Sequence, residues 1–299
     1  MRRLAFLTAV AALAILPYRP ASMAWSGDRA LISNAITGQE FIYTVQPGEN
    51  ITQIGARFGE STALLARENG LRFPSVLKPQ MALKVDNRHI VPISELNDGI
   101  LINIPQRMLF HFRGAALNAS YPVGLGRPDW PTPTGHFRIV GKQQDKEWIV
   151  PQSIQEEMRQ TGKEVMTCVP PGPNNPLGRY WVGLSIASIG IHGTDAPSSV
   201  YDFRSHGCIR LHPTHIEALY ADVEVGDHGT IDYVPVLMAN VRDRLYLEVH
   251  KDIYKRGVNP LAIVRSLAEV NELNEAIDWD RVNAVIEERA GVAREIGQR

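Results

Sequence analysis

Between residues 99 and 231 the chain is interrupted by turn-forming residues too often for long helices, with Pro131, Pro133, Gly135, Pro170, Pro171, Pro173 and Pro176 in that stretch. Where it is not interrupted, apolar residues recur at every second position. Ile100, Ile102 and Ile104 alternate, residues 109–112 form a second apolar run, and Ser120-Tyr121-Pro122-Val123 a third. Period two puts alternate side chains on one face of a strand, and proline removes a backbone donor. Residues 97–236 are therefore expected to form one mainly β domain with long loops, with a short helix over residues 153–160 inside a loop.

A different unit precedes it, over residues 41–87. Phe41-Ile42-Tyr43-Thr44-Val45 reads as a strand and Pro47-Gly48 as a turn. Ile51, Ile54 and Phe58 share one helical face ending at Gly59, and a second helix begins near Ser61, buries Leu64 and Leu65, and ends at Asn69-Gly70. Residues 81–85 would close the unit by pairing with the first strand. This strand, helix, helix, strand order, with Tyr43-Thr44-Val45-Gln46-Pro47-Gly48-Glu49 in front and Asn69-Gly70-Leu71 behind, resembles the LysM module. The resemblance implies binding to N-acetylglucosamine-containing glycans such as peptidoglycan. The alternative is a small appendage that only packs on its neighbour, with Val91-Pro92-Ile93 as linker.

At the N-terminus Arg2-Arg3 precedes an apolar stretch over residues 4–16, then Pro17, Pro20 and Ala21-Ser22-Met23-Ala24. A membrane span needs about 20 apolar residues, so residues 1–24 are expected to be a cleaved secretory signal and the mature chain periplasmic, with an uncleaved anchor as the alternative. A formal charge of -1, with no longer basic run, lacks the electrostatic footprint of a nucleic-acid binder. Only Cys168 and Cys208 exist, where a disulfide-stabilised secreted chain would carry more, so a working thiol is expected. Residues 240–299 bring a strand over 245–249, a helix capped by Asn259-Pro260 with Leu261, Val264 and Leu267 on one side, and another from Asp278 carrying Val282, Val285 and Ile286. This extension could cover the neighbouring domain, pair its helices with each other, or dock on a partner.

The chemistry is concentrated in Ile191-His192-Gly193-Thr194-Asp195 and Ser205-His206-Gly207-Cys208-Ile209-Arg210-Leu211. Acyl transfer by cysteine needs a thiolate, a base, an orienting group for the base, and oxyanion donors. Cys208 follows a glycine that lets backbone approach a carbonyl oxygen, so the amides of Gly207 and Cys208 are candidates for an oxyanion hole. His192 can hold the thiolate as an ion pair if adjacent strands bring the two together, with His206 the second choice of base. The plain alternatives are a buried structural cysteine and ordinary histidines. A metal site from His192, His206, Cys208, His212 and His215 would lack the usual ligand spacings.

These two segments, with Thr132-Pro133-Thr134-Gly135-His136-Phe137 upstream, resemble the YkuD-type L,D-transpeptidases over residues 99–234. The resemblance implies a YkuD-like β-sandwich beside a small α+β LysM module and a C-terminal helical extension. It implies Cys208 as nucleophile and His192 as proton acceptor, oriented by the Gly193 carbonyl, with Ser205, His206 and Arg210 lining the substrate site. Some members carry asparagine at the position of Arg210; a guanidinium there could grip a carboxylate of the peptide stem. No cofactor is implied. The implied reaction is attack on the third, L-centred stem residue with loss of D-Ala, then transfer to an amine, and carbapenems are expected to acylate Cys208. Acceptors would be another stem, an outer-membrane lipoprotein lysine, or water, which would make it an L,D-carboxypeptidase. A non-catalytic wall-binding protein is the rival of a different class. A Cys168–Cys208 disulfide would silence the nucleophile and bring in a periplasmic thiol oxidoreductase as partner.

Overall fold

A computed structural model describes residues 32–298 other than 73 and 75, so the expected signal segment, residues 1–24, lies outside the described residues. The first unit runs β1 (Ile36–Thr37), β2 (Glu40–Thr44), α1 (Ile51–Phe58), α2 (Thr62–Glu68), β3 (Ala82–Asp86) and β4 (His89–Ile90). Local chemistry sets its helix ends. Asn50 and Gln53 exchange side-chain to backbone hydrogen bonds before α1, Gly59 ends it at φ 84°, and Ser61 Oγ accepts from Leu64 N–H at the start of α2. β2 and β3 pair antiparallel over a core of Val45, Ile51, Ile54, Leu65, Leu83 and Val85.

The β-rich unit runs β5 (Gly99–Asn103), β6 (Met108–Arg113), β7 (Ala116–Gly126), β8 (Gly135–Gln144), β9 (Trp148–Ile149), α3 (Gln152–Gln160), β10 (Cys168–Val169), β11 (Tyr180–Leu184), β12 (Gly190–His192), β13 (Phe203–Ser205), β14 (Ile209–Leu211), α4 (Pro213–Asp222) and β15 (His228–Asp232). Its main sheet has the order β13-β7-β14-β12-β11-β8-β15-β5-β6, and β6 also pairs with β7, so the layers are joined edge to edge and the array closes on itself. The long β7 makes the closure by pairing with β6 through its first half and with β14 and β13 through its second. Closure removes the open edges that an isolated sheet would leave.

The alternation expected in β5 is present in the side chains but not in their exposure, because both faces are covered. Ile100, Ile102 and Ile104 enter the central core with Val123, Ile139, Val182, Ile191 and Ile209. Leu101 faces the other way, into a second core with Ala56 of α1, Val91, Phe110, Val200 and Tyr201. The LysM-like helix thus shares a core with the β domain.

The last unit comprises β16 (Val236–Val241), β17 (Arg244–Val249), α5 (Pro260–Val270), α6 (Trp279–Glu288) and β18 (Arg294–Glu295). Its helices cover the β16-β17-β18 sheet, with Val264, Ala268, Val282 and Val285 packing on Val236, Met238, Leu245 and Leu247. They build a core of their own instead of roofing the β domain.

The segment expected to be a plain linker is built in. Val91 N–H donates to Ala35 O and Val91 O accepts from Ser33 Oγ, while Ile90 packs with Leu237, Ala239 and Ala293. At the same junction the fully buried Glu248 accepts from His89 Nδ1 at 2.8 Å, His250 Nε2 at 2.7 Å, Gln106 Nε2 at 3.1 Å and Ile90 N–H at 2.6 Å. One carboxylate therefore ties the C-terminal unit, the connector and the β domain together. Ion pairs of Arg294 with Glu68 and Asp86, and of Arg67 with Glu288, extend the seam to the LysM-like unit.

Candidate active site

Two parallel neighbours, β12 and β14, set the site. Their register places Ile191 beside Ile209 and His192 beside Arg210. Ile191, Ile209 and Leu211 point into the central core. Period two then turns His192 and Arg210 to the opposite face, and Cys208, one residue before β14, lies one diagonal step from His192.

His192 is 3% exposed, and its ring is fixed on two sides. Nδ1–H donates to Gly193 O at 2.6 Å, which leaves Nε2 as the basic nitrogen. The indole of Trp181 stacks on the imidazole at 5.6 Å between centroids and 21° between planes. Trp181 also lies over Gly190, where an added Cβ would come within 2.4 Å of the indole, so the glycine makes room for the ring that stacks on His192.

Burial governs the electrostatics. It lowers the His192 pKa to about 3, helped by the Arg210 cation and opposed by hydrogen bonding to backbone. The Cys208 thiol is pushed up by burial, against a backbone hydrogen bond from Gly190 and the charge of Arg210. Both shifts favour a thiol at Cys208 and a neutral imidazole at His192 over the thiolate–imidazolium ion pair considered from the sequence. Arg210 is itself largely buried, its pKa lowered by desolvation; Nη1 reaches Ser199 Oγ at 3.4 Å, and Nε has no hydrogen-bond partner among the described residues.

The turn that carries Cys208 uses its own polar groups. Gly207 has φ 102°, a conformation that favours glycine. Ser205, expected to line the substrate site, is 2% exposed and turned inward: Oγ donates to Cys208 O at 2.5 Å and accepts from Gly207 N–H at 3.2 Å. The Gly207 amide is thus engaged, leaving the Cys208 N–H of the expected oxyanion pair. His206, the second candidate base, is held at the rim by Glu157 of α3, with Nε2 2.5 Å from Oε2, and meets the edge of Trp130. Arg127 pairs with the same carboxylate at 2.7 Å.

Trp181, Glu157 and Trp130 had no motif to reveal them; Thr132, whose Oγ1 donates to Gly207 O at 2.9 Å, lies inside the upstream segment already singled out. His212 and His215 sit together at the start of α4, and among the described residues no three His, Cys, Asp or Glu side chains gather as metal ligands. Cys168 is an exposed free thiol on β10, paired across the strands with Ile149.

Comparison with known proteins fits this arrangement. The model of the L,D-transpeptidase catalytic domain matches residues 97–238 and that of the LysM domain residues 43–86. A protein of Escherichia coli K12 named as an L,D-transpeptidase, ErfK/SrfK, is 27% identical over 87% of this chain and 87% of its own length. A Bacillus licheniformis protein named as an L,D-transpeptidase, YkuD, is 30% identical over 64% of this chain and 98% of its own length. A solved L,D-transpeptidase from Mycobacterium smegmatis overlays 44% of this chain and 57% of its own at 20% identity and a TM-score of 0.36. The chain belongs to the YkuD family of L,D-transpeptidases and carries a LysM domain.

Proposed function

We propose that this enzyme, a peptidoglycan L,D-transpeptidase, works through Cys208 as nucleophile and His192 as general base. The observation that carries the reading is the parallel pairing of β12 and β14, which sets His192 and Arg210 on one face, with Cys208 one diagonal step away. The fixed Nδ1–H bond of His192 to Gly193 O leaves Nε2 to take the Sγ proton. As Sγ bonds to the carbonyl carbon of the L-centred third stem residue, that proton passes to His192, and charge collects on the carbonyl oxygen near the Cys208 amide. Collapse breaks the C–N bond to D-Ala, which leaves with the proton from His192, and a thioester remains. An amine then attacks the thioester, His192 takes its proton, and the thiol is restored. One acyl bond replaces another, so the cycle needs no outside energy source.

Arg210 suits a stem carboxylate, since its buried guanidinium has an unmatched donor that an anion could accept. His206 at the rim and the stacked Trp181 would border the bound peptide. The amine is another stem or a lipoprotein lysine; water in its place would give an L,D-carboxypeptidase. The N-terminal stretch supports export to the periplasm by a cleaved signal, and no helix among the described residues is long and apolar enough to cross a membrane. The LysM domain would hold the enzyme on the glycan, and its α1 packs in the core beside Val200, one residue from the Ser199 that touches Arg210.

The test is D-Ala release from disaccharide tetrapeptide by the reduced full chain, with products analysed by mass. Release and a cross-linked dimer with wild type, and neither with Cys208→Ala, is the expected result. Release of D-Ala with only tripeptide product would identify the carboxypeptidase. Release undiminished in Cys208→Ala would end the assignment of the nucleophile.

A further inference from the structure

The residues that hold the nucleophile in place do not all lie within the part of the chain that matches the catalytic family. Tyr254 belongs to the C-terminal extension, beyond residue 238 where the match ends. Its hydroxyl reaches back to the loop after β7, donating to Gly126 O at 2.7 Å and accepting from Thr132 N–H at 3.1 Å. Thr132 is 1% exposed, and its own hydroxyl continues the connection, accepting from Gly126 N–H at 2.9 Å and donating to Gly207 O at 2.9 Å. The far end of Tyr254 is fixed as well. Its N–H donates to Tyr233 Oη at 2.9 Å, its ring stacks on Tyr233, and Tyr233 Oη donates to Asp252 at 2.6 Å. Asp252 in turn accepts from the amides of Arg256, Gly257 and Val258.

Gly207 O and Cys208 N–H are the two ends of one peptide plane. In a trans peptide they point in opposite directions. A hydroxyl that pins the carbonyl inward therefore aims the amide of Cys208 outward, where an oxyanion would form. We propose that Tyr254 is a positioning residue for acyl transfer, acting through Thr132 and the Gly207 carbonyl to hold the Cys208 amide in its oxyanion-binding direction. The extension is thus a working part of the site and not only a companion domain. This inference rests on Cys208 being the acyl-transfer nucleophile.

Two reactions of the same thiol separate amide aim from thiol reactivity. Acylation by a carbapenem such as meropenem builds an oxyanion, whereas alkylation by iodoacetamide attacks a saturated carbon and builds none. Both rates are read by intact mass on the full chain. Removing an oxyanion donor outright costs about 100- to 1,000-fold, so misaiming one in Tyr254→Phe is expected to slow acylation about tenfold. Alkylation should move by less than about twofold, since the thiol and its base are untouched. Thr132→Val should show the same split, and Thr132→Ser, which keeps the hydroxyl, should retain more of the acylation rate than Thr132→Val. Equal acylation by wild type and Tyr254→Phe, or a parallel fall in both reactions, would overturn the proposal. A wild-type enzyme that is alkylated at Cys208 but never acylated would instead remove the acyl-transfer reading on which it stands.

Discussion

At the scale of residues, burial favours a protonated thiol at Cys208 and a neutral imidazole at His192. The motif singled out Cys208 and His192, the side chains proposed to do the chemistry, because residue identity is written in the sequence. Their protonation states were not, because burial by distant strands and the nearby Arg210 decide them. The inward turn of Ser205 was not legible for a related reason: the turn at Gly207 directs its hydroxyl onto the backbone of its own segment. A base at about pKa 3 stays neutral far below the usual histidine range. The acid limb of the acylation rate is therefore expected well below pH 6, and a pH–rate profile with its limb at 6 to 7 would contradict this. The same shift weakens folding on acidification. Between pH 6.5 and about 3 the unfolded chain takes up a proton at His192 that the folded chain refuses, so stability falls as pH drops through that window. Replacing the base by His192→Gln should lower acylation by about 100- to 10,000-fold with the fold intact, measured by single-turnover mass kinetics and far-UV circular dichroism.

At the scale of elements, short-range chemistry was the readable part. α1 and α2 begin at Asn50 and Ser61 and end at Gly59 and Asn69, all within a few residues of the positions they control. The ends of β7 could not be read in the same way, because its partners are chosen by closure of the sheet. β1 and β4 were missed because two residues carry no periodicity. α3 is a helix with no buried residue, whose Glu157 holds His206 and Arg127 at the rim of the site. Its carboxyl pKa is lowered by hydrogen bonds from His206 and then Arg127. Exposed pairs contribute little to global stability, so Glu157→Gln should change unfolding by no more than about 1 kcal/mol. It should instead raise amide hydrogen exchange across residues 152–160, and unchanged exchange there would show that other contacts hold the helix.

At the scale of the whole molecule, three units are joined by buried polar groups whose partners lie far apart in sequence. His89 and Glu248 are separated by 159 positions, which is why no local pattern announced them. Burial opposes ionisation of Glu248, but His89 and His250 outweigh it and hold its carboxyl at about 2. Breaking such a cluster leaves its donors unmet, so Glu248→Ala should cost about 3 to 5 kcal/mol in chemical denaturation. Glu60 works in the other direction. Desolvation raises its pKa to about 8, its Oε2 accepts from Asp86 N–H, and Oε1 has no partner among the described residues. Its contribution is full below the unfolded value of 4.5 and is lost as pH rises through about 8, so Glu60→Gln should gain on wild type across that range. Urea unfolding of both proteins at several pH values checks this.

The central claim, that Cys208 forms a thioester with the stem, is tested most directly by intact-protein mass spectrometry of the reduced enzyme quenched during reaction with tetrapeptide muropeptide. An adduct of the substrate mass less D-Ala, mapped to the peptide containing Cys208 and absent from Cys208→Ala, is the predicted result. Turnover of the tetrapeptide with no adduct at Cys208 under any quench, and with activity retained in Cys208→Ala, would contradict it.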